Sequence, residues 1–241
     1  MDKPAKSLKG ARCRDEILRI EFAAPGTRSR KVISRSNTRP TGRFPSQRMN
    51  RMIHWDSPHE LNAYRLLDSN PAVRAFSEQP CIIYYKLDDK EYRHFPDSLV
   101  ETAAVRALWE IKTTADARKP EVVARTQLLT EHLPSHGYQY CMVLAEDLSR
   151  EPRLHNVRLL LRQGRTPLSV EQMEYCRRLF LATPSLRWLD VVEGRHAPFT
   201  MQHACRMVIE GNLHINLDKK FDATSQLVKV ASTILFGDGN G

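Results

Sequence analysis

The sequence predicts an α/β protein with a mixed sheet, followed by a smaller unit of short helices and strands. Between residues 57 and 145 the apolar pattern changes from helix to several strands, then to helix and strand again. A polar connector at 148–153 ends that pattern. Hydrophobic residues are 41% of the 241 residues, enough to form a core. We divide the chain into a flexible basic arm over 1–40, a main domain over 41–150 and a C-terminal domain over 151–241.

The main domain opens with a helix whose start carries a capping box. Ser57 is the expected N-cap, a proline follows at the first helical position, and Glu60 stands three residues after the cap. The helix is expected to end before Asn70. Strand patterns follow at 81–85, 91–95, 97–100 and 105–112, and the last two form a hairpin joined at 101–104. A helix beginning at Pro120 and a strand over 138–145 complete the predicted sheet.

The C-terminal domain has a different pattern. Ser169 and Gln172 form a second capping box, which opens a helix expected to reach Ala182. Another helix is predicted over 200–210, and residues 213–217 alternate strictly between apolar and polar. Helices followed by a short strand wing are typical of a winged-helix-like DNA-binding module. A helical subdomain without any role in DNA binding fits the same pattern equally well.

The net charge of +9 is concentrated at the N-terminus. Residues 1–50 contain thirteen Lys or Arg and four Asp or Glu, whereas the rest of the chain contains 24 of each sign. A basic arm of this kind commonly tracks phosphates, because each neutralised phosphate releases a counterion. We therefore favour nucleic-acid contact over the alternative of a solubilising tail.

Several classes of protein are excluded by composition. The longest apolar run, over 140–145, is six residues, whereas a membrane span needs about 20. The N-terminal residues lack the apolar segment of a secretory signal. The five cysteines are widely spaced and form no C-x-x-C pair, so neither a disulfide framework nor a zinc ribbon is expected. These observations predict a protein of a reducing cytosol without a membrane partner.

The residues with the clearest chemistry lie on the predicted hairpin. Pro96-Asp97 precedes one strand, and Glu110-Ile111-Lys112 ends the other. Side chains two apart in a strand leave the same face, so Glu110 and Lys112 should face Asp97 across the hairpin. Two carboxylates and a lysine on one face require a compensating charge, which Mg²⁺ supplies through oxygen ligands and bound phosphate. The pattern is short, and a turn aspartate with a surface Glu–Lys pair is the simpler interpretation; the predicted hairpin and the preceding Glu60 favour the metal site.

Two groups of residues admit other interpretations. Glu60 can act as a helix cap, face the metal site, or do both. His54, His59 and His94 could form a zinc site, but no spacing typical of zinc ligands accompanies them, so surface positions or contacts with DNA are favoured.

The segment from Thr41 to Ile53, the Ser57-to-Glu60 box, Pro96-Asp97 and Trp109-Glu110-Ile111-Lys112 together resemble the TnsA endonuclease family. TnsA is a subunit of heteromeric cut-and-paste transposases with TnsB and TnsC partners, and the versions linked to CRISPR-guided transposition are the most similar. The resemblance extends from about residue 41 to the C-terminus. Two positions depart from the family: Ser98 replaces an aromatic or apolar residue, and Asp56 stands where glutamate is frequent.

This resemblance implies a restriction-endonuclease-like core of the PD-(D/E)xK type. It implies that Glu60, Asp97, Glu110 and Lys112 form the active site, with Mg²⁺ (or Mn²⁺ as a substitute) bound by the three carboxylates. It implies cleavage at the 5′ ends of the transposon, while a TnsB-like recombinase cuts and joins the 3′ ends. Contact between the C-terminal domain and a TnsC-like ATPase, and a bacterial cytoplasmic, nucleoid-associated location, are also implied.

Arg43, Arg48 and Arg51 lie within the Thr41-to-Ile53 segment and are the predicted DNA-binding residues. Two rival functions remain open. A stand-alone restriction or repair nuclease would share the same acidic residues and basic arm, whereas a DNA-binding regulator would use the arm and wing without catalysis. The arginine-rich segment and the wing favour the transposase subunit over the first rival. The complete Asp97, Glu110 and Lys112 set favours an enzyme over the second.

Overall fold

The computed structural model describes residues 15–29 and 40–230. The rest of the predicted arm and the end of the predicted C-terminal domain lie outside these ranges. The strands of the described residues are β1 Glu16–Phe22, β2 Gly42–Ser46, β3 Arg51–Trp55, β4 Val73–Glu78, β5 Cys81–Leu87, β6 Lys90–His94, β7 Ser98–Thr102, β8 Arg106–Lys112, β9 Gln139–Leu144, β10 Ser185–Arg187, β11 Leu213–His214 and β12 Gln226–Lys229. The helices are α1 Pro58–Ser69, α2 Thr114–Ala117, α3 Pro120–His132, α4 Ala145–Leu148, α5 Arg153–Gln163, α6 Val170–Ala182, α7 Trp188–Val192 and α8 Met201–Ile209, with a 3-10 turn at Leu133–His136.

The protein has the mixed α/β architecture that the sequence predicts. Its central sheet has the strand order β4-β7-β8-β9, in which β8 and β9 are parallel and the other pairs are antiparallel. Helix α3 lies in the crossover between β8 and β9, as a parallel connection requires. Alternating residues of β8 serve the two faces: Leu108 packs with Leu129 of α3, whereas Ile111 packs with Ala63 of α1. The sheet is therefore enclosed between α1 and α3.

One part of the predicted flexible arm is instead a strand. β1 pairs antiparallel with β5, on the opposite side of β5 from β6. Ile17 and Ile20 pack against the core that contains Leu108 and Leu129. The prediction of a flexible arm is therefore wrong for 16–22, because this segment pairs with β5 and its isoleucines are partly buried against the main domain while its charged residues are exposed.

The segment that connects the arm to α1 forms a β-hairpin of β2 and β3. The turn between them, at residues 47–50, contains Asn50 with a φ of 48°. Asparagine tolerates this left-handed conformation better than most residues because its side chain can bond locally. The hairpin leads into α1, whose N-cap Ser57 accepts a hydrogen bond from the Glu60 backbone N–H at 3.2 Å. The predicted start of this helix is confirmed.

The C-terminal part of the chain has its own core. Strands β10, β12 and β11 form an antiparallel sheet in that order, and Phe180, Phe199 and Leu227 are among the side chains buried between it and the helices. The capping box at Ser169 and the helix after Thr200 are confirmed. The predicted strand at 213–217 is shorter than expected, because only Leu213 and His214 pair with β12. No helix within the described residues is long and apolar enough to cross a membrane.

Candidate active site at the end of the β7–β8 hairpin

The position of Asp97 is fixed by the strand that faces it. Its backbone N–H donates to the Trp109 carbonyl at 2.9 Å, and its Oδ2 accepts from the Ile111 backbone N–H at 2.6 Å. The carboxylate thus takes the place of a backbone carbonyl just beyond the last strand pair, Ser98 with Trp109. No described residue donates to the second carboxylate oxygen, Oδ1. Asp97 therefore presents one oxygen to a ligand while the other holds the hairpin.

Glu110 is the most enclosed of the predicted residues, with 3% of its surface exposed. Its Oε1 lies 2.6 Å from Lys112 Nζ and 3.2 Å from an Arg125 guanidinium nitrogen. Its Oε2 is buried and has no hydrogen-bond donor among the described residues. A buried carboxylate oxygen without a donor is costly, since the lost hydration is not replaced. A cation in the adjoining space would replace it.

His94 lies behind Glu110 but does not neutralise it. Its Nε2 is 3.3 Å from Glu110 Oε2 and 3.1 Å from the Tyr140 hydroxyl. Burial, together with the charges of Arg125 and Lys112, holds the pKa of His94 well below its usual range. The imidazole is neutral at pH 7, so the contact with Glu110 is not an ion pair. Tyr140 can instead donate its hydroxyl proton to the ring nitrogen.

The electrostatics of Asp97 show that the carboxylates repel one another. Burial raises the pKa of Asp97 well above its usual range, and the charges of Glu110 and Glu60 raise it further. Lys112 and the Ile111 N–H oppose this increase without cancelling it. Three carboxyl groups thus act on one another around a single lysine. Bound metal would favour the ionised form of each.

Glu60 reaches the same site from the N-terminus of α1. Its Oε2 accepts from the Asp56 backbone N–H at 2.8 Å, and its Oε1 accepts from the Ser57 hydroxyl at 3.2 Å. The side chain therefore caps the residue before Ser57, a variation on the predicted capping box. Burial raises the pKa of Glu60 to about 7, although the Asp56 N–H bond lowers it. Glu60 therefore caps the helix and lines the cleft, while its role at a metal site stays a prediction.

These residues line one open cleft of about 790 Å³, which contains Glu60, Asp97, Glu110, Lys112 and Arg125. Gln79 joins the cleft to the β4–β5 connection: its backbone N–H donates to the Asp97 carbonyl at 2.9 Å. Lys112 is about one-third exposed to the cleft, with 31% of its side chain accessible. The four predicted catalytic residues are thus brought together, and their catalytic roles stay predictions.

The carboxylate oxygens of the cleft supply part of the ligand set that a hard divalent cation requires. Asp97 Oδ1 and Glu110 Oε2 are carboxylate oxygens without donors, and Mg²⁺ characteristically takes one or two such ligands while keeping several waters. Across the described residues, no three His, Cys, Asp or Glu side chains converge closely enough to enclose an ion. The three carboxylates predicted as ligands line one cleft without forming such a group, and metal binding stays a prediction. Glu60 is the outlier, because both of its oxygens already accept hydrogen bonds from Asp56 and Ser57.

The zinc site considered from the sequence is not supported either, because His54, His59 and His94 do not converge into a metal-binding group within the described residues. His94 contacts Tyr140, while His59 lines the cleft. Burial and the charges of Arg28 and Arg43 lower the pKa of His54.

Two of the three predicted DNA-binding arginines have partners within the protein. Arg51 forms a two-point ion pair with the buried Glu78, at 3.0 and 2.6 Å. Arg48 donates to the carbonyl oxygens of Asp68 and Ile209 at 3.3 and 3.5 Å. Both contacts stabilise the fold, while the predicted contacts of Arg48 and Arg51 with DNA stay predictions. Arg43 is exposed, and its contact with DNA stays a prediction.

Arg125 and the contacts of His94 were not predicted from the sequence. Arg125 falls three residues after Val122 and four before Leu129, both of which are buried on the inner face of α3. An arginine within this apolar stripe indicates a buried acidic partner. His94 gave no comparable signal, because its neighbour Tyr140 lies 46 residues away in the sequence.

Comparison with models of protein families gives no match to this sequence. Comparison with the curated proteins gives no match either.

Proposed function

We propose that this chain is a metal-dependent DNA endonuclease of the TnsA type, which cuts the 5′ strands at the ends of a transposon. One observation carries the proposal: at the end of one hairpin, Asp97 and Glu110 each present a carboxylate oxygen without a donor, beside Lys112. The proposed core is restriction-endonuclease-like, and the mixed order β4-β7-β8-β9 with its single parallel pair is compatible with it.

Asp97 and Glu110 are the residues that would hold Mg²⁺ or Mn²⁺. When bound, the ion would polarise the phosphodiester and stabilise the charge on the leaving oxygen. Lys112, whose Nζ lies 2.6 Å from Glu110 Oε1, would orient the attacking water and stabilise the charge of the transition state. Arg125 of α3 forms an ion pair with the Glu110 carboxylate at 3.2 Å. Glu60, with a pKa of about 7, can accept or release a proton at the edge of the cleft near neutral pH.

The C-terminal domain supports the second part of the proposal. Helix α6, β10, α7, α8 and the paired β11 and β12 follow one another in an order typical of a winged-helix-like module. We assign it to contact with DNA or with a TnsC-like ATPase, while a TnsB-like recombinase processes the 3′ ends. Cytoplasmic, nucleoid-associated action follows from this assignment.

Sequencing of insertion products tests the proposal against both rival functions. If this chain cuts only the 5′ strands, Asp97→Ala should leave joining of the 3′ ends intact and convert simple insertions into cointegrates. Asp116→Ala is the matched control, because Asp116 lines the same cleft but pairs with Lys119 at 2.6 Å. Simple insertions that still dominate in Asp97→Ala would show that this chain is not the 5′-strand nuclease. A general nuclease or a DNA-binding regulator produces no such change of product.

A further inference from the structure

An arginine-lined groove lies on the side of α1 next to the cleft. Its volume is about 430 Å³, and residues of β2, α1 and α5 form its walls. Its cationic residues are five arginines, set against a single aspartate, Asp68; they are Arg43, Arg65, Arg158, Arg162 and Arg165. We refer to these five residues as the arginine groove.

The aspartate is not available to the arginines. Its carboxylate accepts hydrogen bonds from the Ser46 hydroxyl and from the backbone N–H groups of Gln47 and Arg48, at 3.2 and 3.1 Å for the two backbone donors. These contacts fix the β2–β3 turn to α1. The positive charge of the groove is therefore not balanced from within its own walls.

The arginines are also close enough to disfavour one another. Burial and the charge of Arg158 lower the pKa of Arg65, whose only side-chain acceptor in the described structure is the Asn62 amide oxygen at 3.2 Å. Arg158 forms an exposed ion pair with Glu151 at 3.7 Å. Arg162 follows Arg158 by one helical turn, and like charges at this spacing destabilise a helix. An arrangement that is unfavourable in the empty groove becomes favourable when an anion occupies it.

The form of the groove indicates which anion. Arg158 and Arg162 lie one helical turn apart on the exposed face of α5, Arg165 follows in the turn after the helix, and Arg43 lines the groove from β2. A row of exposed guanidinium groups suits a row of phosphates, to which each can donate two hydrogen bonds. The groove also adjoins the active site through α1: Leu61 and Arg65 line the groove, whereas Glu60 lines the cleft.

We propose that the arginine groove binds the phosphate backbone of the DNA duplex whose strand enters the cleft. The choice of DNA rests on the proposed function; the demand for a polyanion rests on the groove itself. An acidic segment of a partner protein is the competing ligand. The run of exposed guanidinium groups and the helix α1 that the groove shares with the cleft favour DNA.

The test is the salt dependence of DNA binding, measured by fluorescence anisotropy with a labelled duplex in EDTA, so that no cleavage is needed. Arg162→Ala/Arg165→Ala removes two exposed arginines of the groove. Arg74→Ala/Arg106→Ala is the control, because it removes the same charge from exposed positions of β4 and β8 near the end of the sheet opposite the cleft. Each phosphate contact contributes about 0.9 to the slope of log affinity against log salt.

We expect the groove variant to lower that slope by about 1.8 and the control to leave it unchanged. Between about 50 and 200 mM salt, wild type should then lose roughly tenfold more affinity than the groove variant. Equal slopes for the two variants would overturn the proposal. So would a groove variant that binds DNA normally but no longer binds poly-glutamate, since the groove would then serve an acidic protein segment.

This outcome is separable from that of the proposed function. Loss of DNA binding in the groove variant, with cleavage unaffected by Asp97→Ala, would support the groove and reject the nuclease assignment. The reverse pattern would reject the groove alone.

Discussion

The raised pKa of Glu60 makes stability depend on pH in a direction that can be measured. Its folded-state pKa is about 7, against an ordinary value of 4.5. The folded state therefore holds a proton that the unfolded state releases between these pH values. The stability linked to this proton is complete below about pH 4.5 and is lost as pH rises through about 7. At about 1.4 kcal/mol per pKa unit, the loss is about 3 kcal/mol.

Glu60→Gln should remove this loss, because an amide of the same shape carries no proton to release. In EDTA at pH 7.5 we expect the variant to melt higher than wild type, by about 6–12 °C if all of the 3 kcal/mol is recovered. At pH 4.5 the two should melt at similar temperatures. Glu121→Gln is the control, since Glu121 lines the same cleft but is exposed. Thermal melts from pH 4.5 to 8 decide the matter: parallel curves for Glu60→Gln and wild type would refute the reasoning.

Three further outcomes are expected. Lys112→Ala should reduce cleavage by about 10²–10³-fold but keep the rise in melting temperature that Mg²⁺ gives to wild type. Asp97→Asn should lose cleavage and also the rise in melting temperature. Thermal melts with and without Mg²⁺ separate the two roles. Deletion of residues 1–14 should weaken DNA binding and its salt dependence without changing the melting temperature. Deletion of 1–24 should also lower the melting temperature, because it removes β1. An unchanged salt slope would show that the arm binds no phosphate. Gly164→Ala should destabilise the C-terminal core by about 1–3 kcal/mol in urea denaturation, because the new Cβ would lie 2.8 Å from the Arg206 backbone nitrogen; unchanged stability would contradict the close packing of α5 on α8.

The sequence predicted the parts of the site that depend on local geometry. Asp97, Glu110 and Lys112 lie on one hairpin, and strand alternation alone places Glu110 and Lys112 on the same face. Arg125 comes from α3, and its approach to Glu110 depends on the parallel pairing of β8 with β9. Pairing between segments distant in the chain produces no periodic pattern, so the sequence alone does not predict it.

Charge was the least reliable guide. The partners of the basic residues in 41–53 were not predicted from the sequence: Arg51 pairs with Glu78, and Arg48 donates to the Asp68 carbonyl, 27 and 20 residues further along the chain. β1 was missed for a related reason. Its charged residues, such as Glu16 and Arg19, interrupt the apolar pattern, whereas Ile17 and Ile20 are partly buried against the core and the strand pairs with β5.

Strand-specific cleavage of transposon-end DNA is the most direct test of the central claim, that Asp97 and Glu110 form a metal-dependent nuclease centre for the 5′ strand. The substrate carries a separate label on each strand and is incubated with Mg²⁺, the recombinase, the ATPase and this chain. With wild type we expect a cut in each of the two strands at the transposon end. With Asp97→Asn we expect the 3′ cut alone. A 5′ cut that persists at the wild-type rate in Asp97→Asn would contradict the account.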